Sequence, residues 1–367
     1  MIDNLRVITL TLTQNCNLSC SYCYEQHKSQ KTMSFETAKK IIDYELSHAT
    51  KDDYLEFDLF GGEPFLEFPL IKQITEYICK QKKDISCQLF ISTNGTLVHG
   101  ETKEWLKQHK CCLVCGLSLD GTRKMHNINR SNSYDDIDVD FFLETYPEQD
   151  LKMTISKETL PHLAEGVIEL HEKGFKISCN LAYQIDWSDE ENATLLEREL
   201  LKLIDYYIEH PNIEPCSMLD MSISNISINS DDAYRFCGAG YSMRSYDVDG
   251  EFYPCQFFMP LSLGEEKAKK SKEIIFPKEI LPKEELDEKC VSCVLRSICP
   301  NCLGSNFAST GNIYKRDENM CRLTKITLKA RAYFRAVQWE KGLLKGSDDE
   351  INATLNAIVK IQEELVI

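Results

Sequence analysis

The sequence lacks the features of a secreted or membrane-spanning protein. Residues 1–6 contain no basic region followed by an apolar run, so they do not form a signal peptide. No stretch approaches the ~18–20 uninterrupted apolar residues that cross a bilayer. Internal repeats and low-complexity tracts are also missing. With 367 residues and a hydrophobic content of 43%, the chain is expected to be a cytoplasmic globular protein with a sizeable core.

Positive charge is scarce in this chain. Lysine and arginine together number 42 against 58 aspartates and glutamates, which gives a formal net charge of −16. This balance disfavours nucleic acid and anionic membrane as main partners, because both are themselves negatively charged. The length exceeds that of one ordinary domain, so we expect a large domain and a smaller one.

Cysteine, in contrast, is abundant. Seventeen cysteines without a secretory signal indicate metal binding in a reducing compartment rather than a disulfide framework. Cys16, Cys20 and Cys23 follow a strand-like run at 7–13, and three thiolates on one short loop can hold three corners of a four-iron, four-sulfur cluster. No fourth cysteine follows nearby, so one iron would remain open. An open coordination position is typical of a metal centre that carries out chemistry.

Strand-like and helical patterns alternate through the first half of the chain. Six β–α units of this kind predict an α/β fold with a parallel sheet covered by helices. The alternation alone does not choose between an open sheet and a partial barrel. The predicted strands lie at 7–13, 54–60, 86–92, 113–119, 152–155 and 176–181, and the main helices at 34–47, 69–80, 101–108, 163–173 and about 193–209.

Short polar motifs follow successive predicted strands. Gly61 and Gly62 permit close backbone approach to a ligand, and Glu63 can accept a hydrogen bond from an ammonium group. Asn94 follows the third strand and Ser118 the fourth. Each motif alone reads as a surface turn. Together they reinforce one another, because active sites of parallel β/α folds lie at the carboxyl ends of the strands.

A second group of cysteines lies beyond residue 211. Its two Cys-x2-Cys pairs, at 290–293 and 299–302, suit tetrahedral zinc. The gap between them is shorter than the ~12–20 residues of most zinc ribbons and fingers, which disfavours that reading. The group comprises Cys237, Cys255, Cys290, Cys293, Cys299, Cys302 and Cys321.

The N-terminal cysteine loop and the Gly-Gly-Glu-Pro motif at 61–64 resemble those of the radical S-adenosylmethionine (SAM) enzymes. This resemblance implies a partial (β/α)6 TIM-like barrel, with the cluster at the carboxyl ends of the strands and SAM bound to its open iron. An electron from the cluster would cleave SAM to a 5′-deoxyadenosyl radical, which abstracts hydrogen from a substrate. The implied SAM contacts are Tyr22, Gly61, Gly62, Glu63, Asn94, Ser118 and Arg130.

The C-terminal cysteines resemble a SPASM domain, which carries two auxiliary four-iron clusters in radical SAM enzymes that modify peptides and proteins. The resemblance implies three clusters in all. It divides the chain into a radical SAM core at 1–210, a SPASM domain at 211–323 and C-terminal helices at 324–367. The implied ligands of the outer auxiliary cluster are Cys290, Cys293, Cys299 and Cys321, and those of the inner one are Cys237, Cys255 and Cys302.

One position separates two enzyme classes within this resemblance. Sulfatase-maturating relatives have a further cysteine six residues after the first of the group, where this chain has Met243. The inner cluster would therefore have an open iron or recruit Cys216. Six further cysteines lie mostly in apolar runs and are expected to pack in the core: Cys79, Cys87, Cys111, Cys112, Cys115 and Cys179.

The leading functional prediction is a maturase that installs a thioether or carbon–carbon (cyclophane) crosslink in a ribosomally made precursor peptide. The alternative is an anaerobic sulfatase-maturating enzyme that forms formylglycine from Cys or Ser. A non-enzymatic iron or zinc module would explain the cysteines but not the strand-end motifs. Expected partners are the precursor peptide and a low-potential electron donor, flavodoxin or ferredoxin. Because the first strand lies so near Met1, leader recognition is expected from the core or from a separate leader-binding protein.

Overall fold

The computed structural model describes residues 4–228 and 232–365. Its strands match the six predicted ones within two residues at each end and include a later pair. They are β1 (Leu5–Thr13), β2 (Tyr54–Gly61), β3 (Ser86–Thr93), β4 (Leu113–Leu117), β5 (Leu151–Ile155), β6 (Ile177–Leu181), β7 (Met243–Tyr246) and β8 (Phe252–Tyr253).

Fifteen α-helices occupy the described part of the chain. None of them combines the length and apolar character that crossing a bilayer requires. The helices are α1 (Phe35–Ser47), α2 (Phe68–Gln81), α3 (Gly100–His109), α4 (Arg123–Asn129), α5 (Val139–Thr145), α6 (Leu163–Glu172), α7 (Glu191–Glu209), α8 (Ser217–Asp220), α9 (Asn225–Ile228), α10 (Pro260–Leu263), α11 (Glu265–Ser271), α12 (Glu288–Val291), α13 (Leu303–Thr310), α14 (Glu318–Glu340) and α15 (Asp348–Glu364).

The main sheet has the strand order β4-β3-β2-β1-β7-β8, and β1 to β4 pair in parallel. Along β2, every second side chain is fully buried, at Leu55, Phe57 and Leu59. This period of two is what one strand face packed against helices requires. The strands β5 and β6 form a separate two-stranded sheet, and an isolated parallel bridge joins Ser118 to Lys152. The predicted α/β class with a parallel sheet is confirmed, and the fold is consistent with a partial barrel.

The chain folds into two compact units built from interleaved segments. The first comprises Met1–Leu119, Asn129–Lys152 and Gly238–Phe276 and contains the main sheet. The second comprises Asp120–Ile128, Met153–Cys237 and Pro277–Ile367. It has a core of its own in which residues of α9, α14 and α15 pack with Leu295 and Ile298.

The acidic segment 131–150 contains α5, whose Phe141 and Phe142 are each 3% exposed. One sequence interpretation is wrong in detail. The first C-terminal helix was expected from residue 324, whereas α14 begins at Glu318. The earlier start has a local cause, since the Asp317 side chain caps the helix by accepting from the N–H of Met320.

Candidate functional site

The N-terminal cysteine loop continues directly from β1. Cys16, Cys20 and Cys23 are all half-buried, and none of them forms a disulfide. The backbone N–H of Cys23 donates to the carbonyl of Cys20 at 3.2 Å, and the N–H of Leu18 donates to the Sγ of Cys16 at 3.4 Å. Burial raises the pKa of both Cys16 and Cys23. The loop therefore holds three thiols in a partly desolvated environment.

The carboxyl end of β2 lies against the start of this loop. The N–H of Glu63 donates to the carbonyl of Asn15 at 2.9 Å. A Cβ atom added to Gly62 would lie 2.4 Å from that same carbonyl oxygen and 2.9 Å from the Cβ of Cys16. Real Cβ atoms do not approach backbone this closely, so the contact between strand end and cysteine loop requires glycine.

The end of β3 holds the middle of the loop. The Asn94 side chain donates to the Oδ1 of Asn17 at 2.9 Å, and its own Oδ1 accepts from the N–H of Thr96 at 3.0 Å. Asn17 in turn donates to the hydroxyl of Thr96 at 2.8 Å. Sequence reasoning placed Asn94 beside SAM; in the structure its amide group bonds directly to the cysteine loop.

The segment after α4 holds the far side of the loop. The N–H of Ser19 donates to the hydroxyl of Ser131 at 3.0 Å, and the N–H of Ser21 donates to the carbonyl of Asn129 at 2.9 Å. Alternate residues from 15 to 21 are therefore each bonded to a different point of the surrounding scaffold. Repeated hydrogen bonding of this kind gives the loop a defined conformation.

Glu63 is a deeply buried carboxyl group at this site, with 1% of its surface exposed. Its Oε1 accepts from the hydroxyl of Thr93 at 2.8 Å and from the N–H of Phe65 at 3.1 Å, and its Oε2 accepts from the N–H of Asn94 at 2.9 Å. Burial raises the pKa of Glu63, while these bonds and the charge of Arg130 oppose the rise. A carboxylate has about four acceptor positions, so Oε2 retains capacity for one further donor.

The other predicted SAM contacts lie in the same compact unit. The guanidinium of Arg130, 8% exposed, lies over the ring of Tyr22 with its Cζ 5.5 Å from the ring centroid. Ser118 follows β4, and its N–H donates to the carbonyl of Thr93 at 2.9 Å. A Cβ atom on Gly61 would lie 2.5 Å from the carbonyl oxygen of Thr13. The structure thus assembles all seven residues around the ends of β1 to β4.

The donor set of the loop fits a four-iron cluster rather than a single metal ion. Among residues 4–228 and 232–365, no three His, Cys, Asp or Glu side chains converge as ligands of one ion. A four-iron cluster makes a different demand, because each thiolate binds a different iron. Three thiols on one short loop, none of them in a disulfide, meet that demand, and the Lys28 ammonium beside them can offset thiolate charge.

The four cysteines expected to hold the outer auxiliary cluster line one cavity of about 60 Å³ in the second unit. Arg316, 7% exposed, reaches into the same cavity, where its Nη1 donates to the Sγ of Cys299 and its Nη2 donates to the hydroxyl of Thr324 at 2.9 Å. Its neighbours in the cavity include Cys290, Cys293 and Cys321. These thiols are the type of ligand that an iron–sulfur cluster requires, and the positive charge of the buried guanidinium would offset the negative charge of their thiolates.

The three cysteines expected at the inner auxiliary cluster are divided between the two units. Cys302 and Cys237 are electrostatic neighbours in the second unit, with Tyr183 beside both. Cys255, 8% exposed, lies in the first unit near Tyr24, whose ring stacks on Phe257 with the two centroids 4.4 Å apart.

The remaining cysteines differ in burial more than the sequence indicated. Cys115 and Cys179 are buried, as expected, but Cys79 and Cys111 are exposed, so the prediction of core packing is wrong for these two. Both belong to a surface cluster in which the Cys112 thiol lies within hydrogen-bonding range of the other two. The apolar run around them was misleading because Cys79 lies in the last turn of α2 and Cys111 precedes β4, where chain direction reverses.

Comparison with known proteins agrees with this geometry. The family described as a 4Fe-4S single cluster domain matches residues 5–135. The radical SAM cyclopropyl synthase TigE of Paramaledivibacter caminithermalis is 21% identical over an alignment covering 95% of this chain and 77% of its own. A cysteine-type anaerobic sulfatase-maturating enzyme of Clostridium perfringens is 23% identical, covering 70% of this chain and 75% of its own.

This chain is therefore similar to the SPASM-type radical SAM maturases. Solved structures support the fold. The structure of native anSMEcpe with bound AdoMet matches with a TM-score of 0.70 at 18% identity, covering 92% of this chain and 100% of that one. The structure of Streptococcus suis SuiB bound to precursor peptide SuiA matches with a TM-score of 0.54 at 17% identity, covering 86% and 75%.

Sequence reasoning missed two basic residues that lie beside these cysteines. Lys28 lies beside the N-terminal thiols and Arg316 beside Cys299. A signal was available for Lys28, since it follows Cys23 by five residues on the same loop. Arg316 stands five residues before Cys321 in a charged stretch, where nothing in the sequence distinguishes it from a solvated arginine.

Proposed function

We propose that this maturase abstracts hydrogen from a ribosomally made precursor peptide and installs a thioether or carbon–carbon (cyclophane) crosslink. The alternative is formation of formylglycine from Cys or Ser, as in the sulfatase-maturating relatives. Relatives of both kinds align with at least 70% of this chain. The two functions therefore have to be separated by details of this chain.

The N-terminal site would bind one four-iron cluster and SAM. Cys16, Cys20 and Cys23 would ligate the cluster, and when bound the cluster and SAM supply the radical chemistry. The free acceptor position on Glu63 suits the ammonium group of SAM, and the Arg130 guanidinium suits its carboxylate. Tyr22, Gly61, Gly62, Asn94 and Ser118 would complete the SAM site.

The second half of the chain would hold two auxiliary clusters, making three in all. The shared cavity of Cys290, Cys293, Cys299 and Cys321 supports their assignment to the outer cluster. Cys237, Cys255 and Cys302 would hold the inner one. In this proposal the core spans 1–210, the SPASM domain 211–323 and the C-terminal helices 324–367.

Met243 is the observation that favours crosslinking over formylglycine formation. It occupies the position where sulfatase-maturating enzymes are expected to have an additional cysteine. Its N–H donates to the carbonyl of Gly238 at 2.8 Å, so its backbone is held at the start of β7. The thiol of Cys216, the other candidate ligand, is fully buried with Tyr207, Arg331 and Cys179 as neighbours. That placement supports an inner set of three cysteines.

The proposed partners follow from the relatives. SuiB was solved with its precursor peptide SuiA, which supports a peptide substrate here. A low-potential flavodoxin or ferredoxin would supply electrons, and leader recognition would come from the core or from a separate leader-binding protein. We propose a cytoplasmic location, where such donors and reduced thiols persist.

Product analysis tests the proposal. Each short open reading frame beside the gene is made as a synthetic peptide and incubated anaerobically with reconstituted maturase, SAM and dithionite. We expect one peptide to lose two hydrogens. A thioether would also remove one free thiol, whereas a cyclophane would leave the thiol count unchanged.

An aldehyde product with loss of sulfur from cysteine would establish the alternative. Release of 5′-deoxyadenosine with every peptide recovered unmodified would contradict a substrate encoded beside the gene. The matched variant is Met243→Cys, which adds a fourth cysteine to the inner group. It should leave 5′-deoxyadenosine formation intact. It should reduce crosslinking if the reaction requires that only three cysteines ligate the inner cluster.

A further inference from the structure

Lys28 has a defined position beside the N-terminal thiols. It is half-buried, and its Nζ donates to the carbonyl of Leu18 at 3.2 Å. Cys23, Cys16 and Cys20 are among its electrostatic neighbours. Leu18 lies between Cys16 and Cys20, so Lys28 lies beside the cysteine loop.

The bond to Leu18 holds the Nζ of Lys28 close to the cysteine loop, because Leu18 is two residues from both Cys16 and Cys20. A lysine side chain carries a positive charge at neutral pH. The buried Glu25 is an acidic neighbour of this ammonium group.

A fixed cation beside a cluster affects the two redox states of that cluster unequally. Adding one electron makes a thiolate-ligated cluster more negative, and a nearby positive charge stabilises the more negative state. The effect is larger in a partly buried site than in water, because the effective dielectric constant is lower there. The sign is unambiguous: the cation makes the cluster easier to reduce.

We propose that the Lys28 ammonium raises the reduction potential of the cluster ligated by Cys16, Cys20 and Cys23. This inference rests on the proposed cluster site. It assigns to Lys28 an electrostatic role in addition to its hydrogen bond with Leu18. One electron must enter this cluster before SAM is cleaved, so Lys28 would widen the range of electron donors able to drive the maturase.

The test is a potentiometric titration of the reconstituted full chain followed by electron paramagnetic resonance. The signal whose shape changes on adding SAM identifies the N-terminal cluster among the others. Removing the charge in Lys28→Gln and Lys28→Met should lower its midpoint potential by about 59 mV, equivalent to a tenfold change for a one-electron couple. Lys28→Arg keeps the charge and should stay close to wild type.

The matched control is Lys31→Met. Lys31 is an exposed lysine on the same loop whose Nζ lies 3.0 Å from the Oδ2 of Asp249. Its removal should leave the potential unchanged, because solvent screens exposed charge.

Three outcomes would overturn the proposal. The first is a wild-type midpoint potential in both neutral variants. The second is a shifted midpoint potential in Lys28→Met alone, which would indicate that the hydrogen bond and not the charge is responsible. The third is loss of the SAM-sensitive signal in both neutral variants, which would make Lys28 a structural residue. Failure of the proposed cluster site itself would already be visible in wild type, as a missing SAM-sensitive signal.

Discussion

Burial separates the cysteines of this chain into groups that their sequence context did not. Those of the N-terminal loop are half-buried, Cys179 and Cys216 are 1% and 0% exposed, and Cys79 and Cys111 lie on the surface. An exposed thiol can ionise and react, whereas burial raises the pKa of Cys179 and Cys216 and keeps reagents away from them. Reactivity should therefore follow this division.

The first prediction concerns alkylation of the native maturase. Iodoacetamide should modify Cys79 and Cys111 at least about tenfold faster than Cys179 and Cys216, because only the first pair is accessible. Mass spectrometry of peptides from a time course measures the rates. Equal rates in the native protein, rather than only after denaturation, would contradict the burial described here.

The second prediction concerns Asp58, on β2. Its Oδ1 is buried and has no hydrogen-bond partner within the described ranges, and burial raises its pKa from 3.8 to about 6, against the attraction of Lys152. Between these two values the folded protein binds more protons than the unfolded chain, so stability should fall as pH rises. Above the window the ionised carboxylate costs about 3 kcal/mol.

Melting temperatures of wild type and Asp58→Asn measure this effect. The variant should melt higher than wild type at pH 7.5 and close to it at pH 4.5. Asp140→Asn, at an exposed position of α5, is the matched control and should show no such difference. A constant offset between Asp58→Asn and wild type at both pH values would contradict the raised pKa.

At the level of elements, the strand ends act as the support of the cysteine loop. The end of β2 bonds to Asn15, the end of β3 bonds to Asn17, and the segment 129–131 bonds to residues 19 and 21. A site held at several points by regular elements is positioned more accurately than an isolated loop. The strand-end motifs thus support the cysteine loop.

The third prediction follows from the close approach of β2. In Gly62→Ala the new Cβ would clash with the carbonyl of Asn15 and with Cys16, so the loop must move. We expect loss of about four irons and of 5′-deoxyadenosine formation. Iron analysis and product chromatography measure the two effects.

The control for this substitution is Gly342→Ala. Gly342 has a positive φ, 68°, and no heavy atom lies within 4 Å of its added Cβ, so substitution there produces no clash with a neighbouring segment. Iron content should stay unchanged there. Wild-type iron content and SAM cleavage in Gly62→Ala would show that the loop tolerates displacement.

At the scale of the whole molecule, each compact unit contains one group of cysteines proposed to ligate a cluster. The three of the N-terminal loop lie in the first unit, and the four that share a cavity lie in the second. The two sets share no residue. Loss of one cluster should therefore leave the other in place.

The fourth prediction is a division of iron between these sites. Wild type should bind about twelve irons, in three four-iron clusters. Replacing Cys16, Cys20 and Cys23 by Ala should leave about eight irons and abolish 5′-deoxyadenosine formation. Replacing Cys290 and Cys293 by Ala should also leave about eight irons but preserve SAM cleavage. About four irons with stoichiometric zinc in wild type would contradict the auxiliary clusters.

The sequence alone determined the parallel β/α class, the six strands within two residues at each end, and the cysteine loop with its motifs at β2 to β4. These features depend on local pattern: a period of two on β2, glycines where backbone comes close, and thiols at short spacing. Such patterns can be recognised without the tertiary structure, because they depend on residues that are neighbours along the chain.

Tertiary structure alone decided which partners meet. Arg316 looks like an ordinary charged residue in sequence, and only folding brings it beside Cys299. Likewise, Cys79 and Cys111 lie in an apolar context yet reach the surface, because a helix end and a turn direct them outward. Burial and charge proximity are properties of three-dimensional neighbours, so no spacing along the chain could have supplied them.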